Sequence, residues 1–136
     1  MPALKKNVIN TDRAPKAIGP YSAGIMTEKF IFTAGQLGII PESGNIIEGG
    51  IENETRQALV NIKNILETAG SSLDLVVKTT VFLRDMNEFS RMNSVYAEFF
   101  TSNPPARSTV QVAALPKNGS VEIEAIALVN PRKSSI

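Results

Sequence analysis

The chain has no cysteine and no histidine among its 136 residues. The first absence excludes disulfides, thiol nucleophiles and thiolate metal sites. The second excludes a Ser-His-Asp triad, an imidazole metal site and any histidine acid–base pair. An excess of one charge is missing too. The 14 Lys and Arg against 13 Asp and Glu leave a net +1, with no basic run. Nothing therefore advertises a nucleic-acid or anionic-membrane partner. No apolar run approaches the length of a membrane span. Met1 to Pro15 is polar and lacks an apolar signal core, so a cytoplasmic location is expected. Any chemistry must rest on Arg, Lys, Glu, Asp, Tyr, Ser, Thr or backbone groups.

What is present is the profile of a folded globule, with 43% hydrophobic and 20% charged residues. A chain of this length buries roughly two-thirds of its unfolded surface. Residues 1–136 read as a single domain without a staple, a repeat or a long linker.

The elements follow from periodicity. Phe30 to Ala34 reads as a short buried strand ending in Gly35-Gln36-Leu37-Gly38, where small residues allow close backbone approach. Ile46-Ile47 can add a short strand. Ile51, Ala58, Leu59, Ile62, Ile65, Leu66 and Ala69 recur at helical spacing, with Gly70 as the stop. They predict a helix over Ile51 to Ala69 whose stripe is core. Leu75 to Leu83 reads as a strand. Asp85 and Glu88 have the spacing of a capping box. A second helix follows, with Phe89, Met92, Val95, Tyr96, Phe99 and Phe100 as its buried stripe. Asn93 lies in mid-helix, where Asn is a poor former. Two more strands close the order β-β-α-β-α-β-β, an α+β fold with both helices on one face of the sheet.

Two helices leave the second face bare. Thr79 or Thr80, Val110, Ile126 and Leu128 fall there in some combination, and an open face of this kind implies a partner. Closed self-association is the simplest solution.

The last two strands carry the charges of interest. Arg107, Thr109 and Gln111 share one face of the first, since side chains alternate. In the second, Val121, Ile123, Ala125, Ala127 and Val129 form an apolar face, with Glu122 and Glu124 on the reverse. Half-buried charges are costly unless paired or bound. A structural ion pair is the plainer expectation, and a small-anion site with a carboxylate nearby is the sharper one. A hairpin about Lys117 would set Glu122 about 16 Å from Arg107 along the strand, too far for one small ligand. Tyr21 follows the Gly19-Pro20 bend, and by itself reads as a tyrosine with its hydroxyl in water.

Several stretches taken together resemble one family. They are Ile18-Gly19-Pro20-Tyr21-Ser22, Thr33-Ala34-Gly35-Gln36, the run from Asp74 to Asp85, the run from Met92 to Phe100, Pro105-Ala106-Arg107-Ser108, and Glu122 to Ala127. In order and spacing they are similar to the RidA/YjgF family of reactive-intermediate deaminases, from about Ala17 to Val129. The resemblance implies a chorismate-mutase-like mixed sheet and a homotrimer with sites between subunits. It also implies that the last two strands are not hairpin neighbours. It matches Arg107 to an arginine that grips a substrate carboxylate, and Glu122 to a glutamate beside the attacking water. Tyr21, the Gly35 backbone and Asn93 match pocket positions. Thr109 stands where many members have cysteine, so a thiol role is lost here.

The implied reaction is hydrolysis of 2-iminobutanoate or 2-iminopropanoate to a 2-keto acid and ammonia, with no cofactor or metal. The family also carries ribonuclease and translation-inhibitor descriptions, against which stand the near-neutral charge and the missing histidine. A non-catalytic trimer that binds small carboxylates is a third reading.

Overall fold

In the computed structural model residues 5–131 are described. The strands are β1 (Asn7–Ile9), β2 (Gly24–Met26), β3 (Phe30–Thr33), β4 (Gln36–Leu37), β5 (Val76–Leu83), β6 (Ala106–Gln111) and β7 (Val121–Leu128). The helices are α1 (Ile51–Thr68), between β4 and β5, and α2 (Phe89–Phe99), between β5 and β6. One mixed sheet results, in the order β1-β2-β3-β7-β5-β6, with β4 also paired to β7.

The α+β expectation holds, with three strands the sequence reading did not delineate. β1, β2 and β4 are two or three residues long, too short to display an alternation. Ile39 and Ile46 form a single antiparallel bridge in place of an Ile46-Ile47 strand. Leu75 ends a 3₁₀ turn before β5. The capping box does not form. The Asp85 side chain accepts from the Asn87 N–H at 2.9 Å, while the Glu88 carboxylate turns to Arg91.

Burial explains the layers. Ile51, Leu59, Ile62, Ile65 and Leu66 of α1 and Met92 of α2 are fully buried against Ile31, Val81, Leu83, Val121 and Ile123 of the sheet. Burying an aliphatic side chain of this size contributes about 1.5–3 kcal/mol. Gly70 has φ +80°, a left-handed geometry that suits glycine just past a helix end. On the other face Phe30, Phe32, Val110 and Leu128 remain substantially exposed.

Topology sets what can meet what. β7 is flanked by β3 and β4 on one edge and by β5 on the other. β6 pairs with β5 alone, in parallel. A parallel pair needs a crossover connection, and α2 supplies it. The last two strands are therefore separated by β5, as the resemblance implied. Between β3 and β4 the chain leaves the ladder at residues 34–35. There the Thr33 hydroxyl accepts the Ala125 N–H at 3.0 Å.

A buried carboxylate fixes the segment leading into β7. Glu54 of α1 accepts the Ser120 N–H at 2.8 Å, while Arg84 donates to the Asn118 carbonyl and the Ser120 hydroxyl. Among the described residues no helix is long and apolar enough to cross a membrane. Glu54→Ala strands a buried N–H, which costs about 1–3 kcal/mol. Urea unfolding at fixed protein concentration is expected to show a lower midpoint with an unchanged slope. An unchanged midpoint would remove Glu54 from this role.

Candidate functional site

Glu122 pairs across the sheet with Phe82 on one side and Leu37 on the other. Its neighbours Val121 and Ile123 point into the core, so alternation turns Glu122 to the open face. The carboxyl group leans over Gly35. A Cβ on Gly35 would stand 2.8 Å from both Glu122 Cδ and Oε2, so the bare Cα makes room for the acid. Tyr21, Ala34, Gly35 and Glu122 line one cleft of about 710 Å³, with Ile18, Leu37 and Pro116 in its apolar wall. Tyr21 is 52% exposed, and the Ile18 N–H donates to its hydroxyl at 3.4 Å. Burial pushes the Glu122 carboxyl above the usual glutamate range, and the charge of Glu124 adds to the shift.

Arg107 belongs to the other side. It pairs with Thr79, whose hydroxyl lies 2.7 Å from the Tyr96 hydroxyl beneath the helices. The guanidinium carbon sits 4.6 Å from the centroid of the Tyr96 ring and 5.5 Å from that of Phe89. Phe89, Asn93 and Tyr96 are spaced i, i+4, i+7 on α2, which puts Asn93 on the same stripe. Thr109 follows two residues along β6, and its Oγ1 is buried without a hydrogen-bond partner.

The six candidates thus fall into two groups: Tyr21, Gly35 and Glu122 on one side, Asn93, Arg107 and Thr109 on the other. Val110 and Glu122 both pair with Phe82. Arg107, three residues before Val110, is about 10 Å away along the strands and about 10 Å across two of them, with the sheet between. The expected structural ion pair is absent. The ion pairs among the described residues involve Arg13, Arg56 and Arg91, and include neither Arg107 nor Glu122. No group of three or more acidic side chains among the described residues is placed to hold a metal ion. Sequence reading missed Phe89 and Tyr96 as surroundings of Arg107. Their helical spacing about Asn93 was the available signal.

Comparison with known proteins settles the class. The model of the Endoribonuclease L-PSP family matches residues 11–129. The chain is 56% identical over 122 residues to a RutC family protein of Pyrococcus horikoshii, covering 90% of this chain and 97% of the relative. It is 50% identical over 131 residues to the 2-iminobutanoate/2-iminopropanoate deaminase of Bos taurus, covering 96% of both chains. Among solved structures, E. coli TdcF with bound serine superposes with a TM-score of 0.87 at 42% identity, covering 91% of this chain and 99% of that one. The chain belongs to the Endoribonuclease L-PSP family, which is the RidA/YjgF family its motifs resemble.

The two causes of the Glu122 shift are separable by titration. Glu124→Gln removes a like charge and leaves burial in place. Carboxyl NMR is expected to show the Glu122 pKa falling, yet staying above the ordinary glutamate value. A shift upward, or none, would contradict this electrostatic account.

Proposed function

We propose that the chain hydrolyses 2-imino acids, with 2-iminobutanoate and 2-iminopropanoate as the substrates, to 2-keto acids and ammonia. Each site joins Arg107, Asn93 and Thr109 of one copy to Tyr21, Gly35 and Glu122 of another, in a homotrimer. The observation that carries this reading is the pair of charges without partners. A guanidinium and a carboxylate, neither ion-paired among the described residues, lie on opposite faces of one sheet. β6 is an edge strand, so Arg107 can reach out to a neighbour. The exposed Phe30, Phe32, Val110 and Leu128 supply apolar area for an interface. The activity named for the bovine relative, half identical over nearly the whole length, supports the chemistry.

Arg107 binds the substrate carboxylate through two parallel N–H···O bonds. Glu122 accepts a proton from a water as its oxygen bonds to the C=N carbon and the π pair moves to nitrogen. The proton held by Glu122 then passes to that nitrogen. From the protonated imine this gives an ammonium on the tetrahedral carbon; the C–N bond then breaks as C=O forms, the hydroxyl proton passes to Glu122, and ammonia leaves. The raised pKa makes Glu122 a better acceptor, and such a positioned base contributes about 10²–10⁴-fold. The Thr109 hydroxyl, buried without a partner, is free to bond a bound ligand. The iminium carbon is itself electrophilic, so these residues suffice. The reading gives the protein a protective task, since 2-imino acids are reactive products of dehydratases.

The family's description raises RNA cleavage as a second reading. Generating 2-iminobutanoate in situ decides between them. Arg107→Ala and Glu122→Ala are expected to fall toward the spontaneous rate. Mixing the two inactive variants as unfolded chains and refolding them together is expected to restore about one quarter of wild-type activity. In a closed ring, half the arginine donors and half the glutamate donors are intact at each interface. Sites confined to one chain would restore nothing. RNA cleavage that survives Arg107→Ala with no imine hydrolysis in wild type would overturn the deaminase reading.

Gly35→Ala forces the Glu122 carboxylate aside while leaving the core alone. A misplacement of about 1 Å can cost about 10²-fold, so kcat/KM is expected to fall by that order with the melting temperature held. Full activity in this variant would argue against the Glu122 position.

A further inference from the structure

Arg107 meets two aromatic rings where an ion pair was expected. The nearer belongs to Tyr96, which is 5% exposed. That ring is fixed from two further directions. Its hydroxyl is hydrogen-bonded to the Thr79 hydroxyl at 2.7 Å, and its plane packs 4.7 Å from the Phe100 ring, centroid to centroid. Burial raises the phenol's pKa above its ordinary value, outweighing the Thr79 bond and the Arg107 charge. The ring therefore stays neutral near pH 7 and offers an unaltered π face.

The kind of contact matters for what Arg107 can still do. A carboxylate partner would occupy guanidinium N–H donors, five of which lie in one plane. An aromatic face attracts the cation through the ring quadrupole and takes none of them. The arginine is held in place with its hydrogen-bonding fork unspent.

We propose that Tyr96, with Phe89 beside it, is a positioning residue that holds the Arg107 guanidinium at the site with its donors free for a substrate carboxylate. The inference rests on the function proposed above, and it deepens the role given there to Arg107. Tyr96 touches no reacting atom. It acts through the arginine.

The test compares wild type with Tyr96→Phe, Tyr96→Leu and Phe89→Leu, with Arg107→Ala to assign the signal. Two readouts are taken: KM and kcat for 2-iminobutanoate, and the NMR position of the Arg107 Nε–Hε proton. The ring current is expected to shift that proton upfield in wild type and in Tyr96→Phe. In Tyr96→Leu it moves most of the way to the position of a free arginine, with only the more distant Phe89 ring left. KM rises about three- to thirtyfold in Tyr96→Leu, with a smaller change in kcat, and stays within about twofold in Tyr96→Phe. A purely packing role would lower the melting temperature and leave KM and the proton unmoved. That result in Tyr96→Leu overturns the proposal. Should Tyr96→Leu not fold, Phe89→Leu decides. A partial downfield move with raised KM supports the proposal, and no change in either overturns it. Wild-type turnover at the spontaneous rate would sink the deaminase reading. The proton, followed on adding 2-oxobutanoate, would then still decide whether the rings hold Arg107 for a carboxylate.

Discussion

Strand β5 stands between β6 and β7, and that one placement keeps two charges apart. It pairs with β6 in parallel and with β7 in antiparallel fashion. Arg107 is thereby turned toward α2, while Glu122 is turned toward the open face. A half-buried charge without a counter-charge is a standing cost. Here the cost is moderated locally, by two rings at Arg107 and by an elevated pKa at Glu122. Neither device neutralises the group.

The cleft around Glu122 depends on a series of small accommodations in the backbone. Between β3 and β4 the chain leaves the ladder, and the Thr33 hydroxyl takes over one hydrogen bond. Gly35 then passes beneath the carboxylate, where any side chain would collide with it. At the other end of the same acid, Glu54 and Arg84 hold the segment that leads into β7. A buried residue of α1 thus helps to set the place of Glu122 from the helix-covered side of the sheet. Membership of the Endoribonuclease L-PSP family fits this division of labour between a packed inner layer and an open face.

Much of this was legible in the residues. The α1 stripe of Ile51, Leu59, Ile62, Ile65 and Leu66 was readable because about five turns of regular spacing leave little ambiguity. Val121, Ile123 and Ala125 announced the inner face of β7 by alternation. The motifs about Tyr21, Gly35, Arg107 and Glu122 announced the family, because several short matches in order are far more specific than one. β1, β2 and β4 were not legible, since two or three residues carry no period. The capping box at Asp85 and Glu88 failed because Arg91 competes for the glutamate.

The sequence by itself determined the chemistry that is possible: with no cysteine and no histidine, any reaction must rest on Arg, Lys, Glu, Asp, Tyr, Ser, Thr or backbone groups. It also determined which residues face the core, because alternation and helical period are local properties of a chain. Only the tertiary structure decided that Arg107 and Glu122 lie on opposite faces, that a glycine yields space to the acid, and that two rings cradle the guanidinium. Those facts depend on which strands become neighbours. Strand pairing is a contact between residues distant in the chain, and no local pattern encodes it.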